Sequence, residues 1–177
     1  MKLKQIKSVF AALFVFIAMA VAGLGADTNA VSSASLYRAN EFSLATFGTY
    51  QVSGTETGDG AWGVGLQADY FVTENLGASL STVRNQFGSG SFIQNLSIAP
   101  VFRFPVADTG FAPYATAGVS VAFDQGNERY YFVGGGLEYR FTPNVGAFAD
   151  YQHVFRGDQP GVLNDAQVIR TGLRWAF

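Results

Sequence analysis

The chain of 177 residues contains no cysteine. That excludes a disulfide, a thiolate nucleophile, a cysteine metal site and a lipid-modified N-terminal cysteine. Histidine is almost absent too: His153 is alone. One His with the scattered carboxylates Asp158 and Asp165 predicts neither a zinc nor a calcium site. Lysine occurs only at positions 2, 4 and 7. The 11 basic residues therefore leave 8 Arg beyond that segment against 13 acids, a charge of about −5 that argues against a nucleic-acid partner. Charged residues make up only 14%, whereas a soluble domain carries about 25%. The deficit suggests that lipid faces part of the surface. There is one long apolar run, from Val9 to Leu24.

What is present begins with that run. Lys2, Lys4 and Lys7 precede it and small residues follow, which is the layout of a cleavable signal peptide helix. We assign residues 1–25 to the signal peptide, 26–40 to a short N-terminal periplasmic segment and 41–177 to the folded domain. Cleavage after Ala22, Gly25 or Ala26 fits equally. A retained anchor helix is the alternative.

Within the folded part the sequence repeats. Tyr70-Phe71-Val72-Thr73-Glu74-Asn75-Leu76-Gly77-Ala78 resembles Tyr139-Arg140-Phe141-Thr142-Pro143-Asn144-Val145-Gly146-Ala147. Pro105–Gly110 supplies a third turn between them. The turn centres near 74, 108 and 143 give a step of about 34 residues, room for two strands and a loop. Four such units predict an all-β fold of eight antiparallel strands at 41–52, 61–72, 76–84, 92–104, 111–123, 130–141, 145–155 and 166–177. Longer polar loops fall at Ser53–Gly60, Arg84–Ser91, Asp124–Arg129 and Arg156–Asp165. Short turns alternating with longer loops, and strands of this length, describe a transmembrane β-barrel.

Successive strand residues point to opposite faces. One parity is apolar with aromatics near the strand ends: Trp62, Tyr70, Tyr131, Tyr139, Phe141, Tyr151 and Trp175. These are expected at the two lipid interfaces. The other parity is dominated by Gly, Ser, Gln and charges, as expected inside a narrow barrel. It collects Glu41, Asp69, Arg103, Glu138, Arg140, Asp150, Arg170 and Arg174. Four acids against four arginines predict a lumen plugged by salt bridges, because an unpaired buried charge is costly. An ion pathway is the functional alternative. A soluble lipocalin-type barrel would reverse the two faces.

The chain ends Leu173-Arg174-Trp175-Ala176-Phe177. Leu173, Trp175 and Phe177 on alternate positions resemble the C-terminal assembly signal of outer-membrane barrels. The turn Phe71–Gly77, the segment Pro113-Tyr114-Ala115-Thr116-Ala117-Gly118-Val119 and this C-terminus together resemble the OmpA-like and OmpX-like small barrels, the outer membrane protein β-barrel domain family. The resemblance covers residues 36–177. It implies location in a bacterial outer membrane and contact with its lipid. It also implies passage by periplasmic chaperones and the barrel assembly machinery. It leaves the extracellular partner unspecified, since fold does not fix function.

Catalytic chemistry finds little support. His153 shares its parity with Tyr151 and Phe155, which puts it toward lipid near the outer rim. Barrels that deacylate lipid A place a Ser two residues after such a His. Phe155 occupies that position, so no hydroxyl is available to activate. Gly134-Gly135-Gly136 lies inside a strand and lacks the Lys and helix of a phosphate loop. The sequence thus predicts no catalytic residue and no cofactor. It predicts a structural or surface-interaction protein, with a narrow channel or a conduit for small hydrophobic molecules as the alternative, and a lipid-modifying enzyme disfavoured.

Overall fold

A computed structural model describes residues 36–53, 60–85, 94–123, 128–156 and 166–177. The proposed signal peptide and nearly all of the four longer loops lie outside the described residues. Eight strands are present: β1 Glu41–Ser53, β2 Gly60–Phe71, β3 Leu76–Asn85, β4 Asn95–Arg103, β5 Phe111–Ala122, β6 Glu128–Thr142, β7 Val145–Arg156 and β8 Ala166–Ala176. Each pairs antiparallel with its sequence neighbour, and β8 closes on β1. The eight-strand expectation holds. The strand bounds agree closely; of the expected fourth strand at 92–104, β4 covers Asn95–Arg103, and residues 92–93 lie outside the described residues.

The three tight turns show why the repeat is visible in the sequence. In the first, the Thr73 hydroxyl accepts from the backbone N–H of Asn75 at 3.2 Å and of Leu76 at 2.9 Å. In the third, the Thr142 hydroxyl accepts from Asn144 at 3.3 Å and Val145 at 3.1 Å. A threonine hydroxyl thus replaces a missing backbone partner at the same step of each repeat. The two asparagines then reach across to the adjoining strand. Asn75 Nδ2 donates to the Arg103 carbonyl at 3.0 Å, and Asn144 Nδ2 to the Ala176 carbonyl at 2.8 Å. In the middle turn, Asp108 has a φ of 59°, a left-handed conformation that Asp tolerates better than most residues.

Register fixes the barrel's shape. A row of paired residues runs Gln51, Val168, Gln152, Gly134, Thr116, Val101, Gly77, Phe71 and back to Glu41. It returns to β1 ten residues from where it left. Eight strands with that stagger tilt by about 40° and enclose a barrel of about 8 Å radius. Ten residues at this tilt rise about 25 Å along the axis, the height of an outer-membrane apolar band.

The lumen is packed. Phe47, Phe71, Tyr114 and Phe148 form its apolar cluster with Ala45 and Val101. Sequence reading assigned the inward face chiefly to small and polar residues and overlooked most of these rings. The glycines explain how they fit. Phe47 lies between Gly65 and Gly172, where an added Cβ would come within 2.3 Å and 2.6 Å of the Phe47 side chain. Glycine on the inward parity therefore marks the wall against which an aromatic ring is laid.

Candidate functional site in the barrel lumen

The eight charges expected in the lumen lie within one connected network. Glu41 Oε1 accepts from Arg103 Nη1 at 2.9 Å and from Arg140 Nη2 at 2.7 Å. Arg140 also pairs with Glu138, and Glu138 pairs with Arg174. Arg174 Nη2 lies 3.2 Å from Asp69 Oδ2. Higher in the lumen, Arg170 meets Asp150 in a two-pronged contact of 2.8 Å and 2.7 Å. The Tyr114 hydroxyl donates to Asp150 at 2.6 Å.

Gln67 joins the two halves. Its amide nitrogen donates to Asp69 at 2.8 Å, and its carbonyl accepts from Arg170 at 3.2 Å. A neutral side chain with one donor end and one acceptor end suits a position between a carboxylate and a guanidinium. Gln152, with its amide oxygen turned to Arg170, adds acceptance at 2.8 Å. Gln67, Tyr114 and Gln152 were not predicted as members. Gln67 did share a parity with Asp69, and that was the available signal.

The network also rests on rings. The Arg103 guanidinium lies 3.7 Å from the Phe71 ring centroid and 4.5 Å from that of Tyr37. Arg140 sits 4.9 Å above Tyr37 as well. Tyr37 precedes β1, is almost fully buried, and donates its hydroxyl to the Gly110 carbonyl at 2.7 Å. Burial, followed by the Glu138 carboxylate, holds its phenol protonated well above the ordinary tyrosine range. Nothing in the sequence pattern singled out Tyr37, because it belongs to no strand.

The outer wall has the opposite chemistry. Trp62 is 68% exposed, and Leu66, Ile98, Tyr131, Phe141 and Ile169 are exposed too. Aromatics gather at two heights. Tyr50 and Trp62 pack at 4.6 Å toward the loop end, and Tyr131 of β6 lies toward that end elsewhere on the ring. Phe42 and Phe177, and Phe111, Tyr139 and Phe141, pack toward the turn end with Tyr70 and Trp175. The outward positions of the described strands hold no Asp, Glu or Lys, and their two arginines, Arg84 opposite Val64 and Arg129 opposite Val121, lie toward the loop end. Tyr151 faces outward but is half-buried, paired with Gly135 and Ile169, and lies four residues inward of Phe155. It sits inside the apolar band rather than at its edge. His153 corrects an expectation: it has the outward register of Val133 and Gln167, yet only 9% of it is exposed. Its ring packs 4.5 Å from that of Phe155 instead of facing lipid. Among the described residues no cluster of His, Cys, Asp or Glu could hold a metal ion.

A closed barrel with polar groups inside and an apolar belt outside is a membrane-spanning β-barrel, since closure gives each strand a partner on both sides. Residues 8–177 match the outer membrane protein beta-barrel domain family, and the chain belongs to it. Its place is the bacterial outer membrane. No curated protein matches the chain by sequence. Solved structures share the fold. The N-terminal barrel domain of Pseudomonas aeruginosa OprF is 19% identical, with 79% of this chain and 99% of that one covered and a TM-score of 0.60. Neisserial surface protein A is 18% identical, covering 77% and 97%, with a TM-score of 0.60. Ail, the attachment invasion locus protein of Yersinia pestis, is 16% identical, covering 78% and 99%, with a TM-score of 0.55. In such barrels the short turns are periplasmic and the longer loops extracellular.

Proposed function

We propose that this protein is a non-catalytic outer-membrane barrel with a structural or surface-interaction role, its lumen plugged by the charge network. The observation that carries this is the connection of four carboxylates and four guanidiniums through Gln67 into one net-neutral set. An ion crossing the lumen must displace paired, hydrogen-bonded charges. Separating such a pair leaves a buried charge uncompensated, at about 3–5 kcal/mol.

A surface role follows from what the lumen leaves over. The fold consumes the inward charges in pairing and the outward side chains in lipid contact, so recognition falls to the extracellular loops. The Ail structure, named for attachment and invasion, gives one precedent for that use of the fold. Catalysis is disfavoured because Phe155, not a serine, stands two residues after His153.

Purified protein in a planar bilayer tests the plug. The expected record is a closed membrane with no stable ionic steps. Steady openings from the wild-type protein would overturn it.

A further inference from the structure

The charge network is dry at an end of the barrel where water lies close by. Glu41 is the first residue of β1, Arg103 the last of β4, and Arg140 lies two residues from the end of β6. All three stand at the short-turn end, which opens on the periplasm. Charges at such a mouth are ordinarily hydrated, yet the side chains of all three are 0% exposed.

Two rings keep the water out, and they are held differently. Phe71 lies against Arg103 on one side. It ends β2, pairs with Glu41 and with Gly77, and cannot move without undoing both ladders. Tyr37 covers the other side, its ring beneath the guanidiniums of Arg103 and Arg140. Tyr37 belongs to no strand. The pairing of β1 begins at Glu41 with β2 and at Ser43 with β8, so Tyr37 can leave without breaking a strand pair.

The segment that carries Tyr37 crosses the mouth. Tyr37 stands four residues before β1. Yet its hydroxyl donates to the Gly110 carbonyl at 2.7 Å, beside β5, and lies 3.5 Å from the Glu138 carbonyl of β6. In a closed ring of eight, β5 is opposite β1. Arg38, Ala39 and Asn40 are exposed, so Tyr37 turns into the bore while the residues after it stay in water. Asn40 makes the reversal. Its φ is 54°, a left-handed conformation that Asn tolerates better than most residues. The Tyr70 hydroxyl donates to Asn40 Oδ1 at 3.3 Å. A turn at Asn40, a stopper at Tyr37 and a hydroxyl catch at Gly110 are the parts of a lid. Behind it, Arg103 Nη2 is buried with no hydrogen-bond partner among the described residues. Water admitted there would find a donor to receive it.

We infer that residues 36–40 are a hinged lid on the periplasmic mouth, whose opening withdraws Tyr37 and admits water to Glu41, Arg103 and Arg140 while the barrel wall stays closed. The inference rests on the plugged lumen and divides it in two. The end cluster is kept dry by a segment outside the ring, whereas the Arg170–Asp150 pair higher up lies beyond the lid's reach. A pull on the chain ahead of residue 36 acts on the hinge directly.

The absence of cysteine makes a clean test possible. Ala112 is 0% exposed and pairs with Glu138, directly behind the Tyr37 hydroxyl. Ala112→Cys therefore places a thiol under the lid. The refolded barrel is treated with methyl methanethiosulfonate, and the mass gain is followed with time. Folding of every variant is checked by gel mobility before and after boiling. Ala176→Cys, buried at the same end on β8, replaces Ala112→Cys if that variant misfolds. The thiol should react slowly with the lid intact and fast in Tyr37→Ala. Asn40→Val keeps the stopper but strains the hinge, because a β-branched residue resists a left-handed φ. It should raise the rate about tenfold. Asn40→Gly accepts that φ and should stay near the slow rate. Ala99→Cys, buried higher in the lumen, should react equally with and without Tyr37→Ala. A thiol behind the lid that stays protected in Tyr37→Ala, equal rates for Asn40→Val and Asn40→Gly, or an equal rise at Ala99→Cys would each overturn the lid. Bilayer conductance of the unaltered protein reports separately on the plug, so failure of one reading is distinguishable from failure of the other.

Discussion

At the scale of single residues, the energetic centre is Arg140. It contacts both Glu41 and Glu138, and all three are almost fully buried. Arg140→Ala removes one of the two guanidiniums paired with each carboxylate, leaving Glu41 with Arg103 and Glu138 with an Arg174 that Asp69 shares. The expected loss is about 3–5 kcal/mol, seen as a lower urea midpoint for the refolded barrel. Arg170→Ala should behave alike by freeing Asp150. If both midpoints stay where they are, the paired interior is the wrong account of this lumen. Glycine sets the second residue-scale constraint. A Cβ at Gly172 would meet the Thr46 carbonyl at 2.2 Å and Phe47 Cβ at 2.6 Å. Backbone on one side and a packed ring on the other cannot both yield. Gly172→Val should therefore show a smaller fraction of folded, fast-migrating protein on an unboiled gel, and a normal fraction would contradict the packing described.

Among the elements, β2 reports the height of the membrane. Leu66 lies midway between Trp62 and Tyr70, on the same outward parity. Leu66→Arg should cost about 2–4 kcal/mol at the bilayer midplane, while Val72→Arg beyond the strand end should cost about 0–1 kcal/mol. Equal costs in a refolding titration would mean that the band is misplaced. The last strand raises a different question, of assembly rather than stability. Phe177 N donates to the Phe42 carbonyl at 2.8 Å, and the two rings lie 6.3 Å apart. A strand with alternate apolar side chains can be captured by strand addition before the barrel closes. Phe177→Ala is expected to lower the amount assembled in cells more than it lowers the refolded protein's urea midpoint. Pulse-labelled membranes set beside an in vitro titration separate the two.

For the whole molecule, closure is the property that matters. Eight strands staggered by ten residues leave no edge, so unfolding must break the ring between two strands. Barrels closed in this way unfold slowly, and an unboiled sample should migrate differently from a boiled one. A single mobility under both conditions, for protein extracted intact from membranes, would count against the fold.

Much of this was legible in the sequence, for a physical reason. A strand in a barrel sees two solvents, lipid and lumen, and alternation at period two records both. The repeated Thr-x-Asn of the turns was readable because the same hydroxyl and amide perform the same hydrogen bonds in each. Hence the strand number, the faces and the eight inward charges could be named from residues alone. What the sequence could not supply was anything that depends on which residues meet across the ring. The stagger of ten, Gln67 as the joint between two charge clusters, Tyr37 beneath Arg103 and Arg140, and the burial of His153 all depend on register and closure. Those are decided by the fit of side chains from distant parts of the chain, and no local pattern carries them. Residue types along the chain were enough for a barrel with a charged interior; which of those charges pair was settled by closure of the ring.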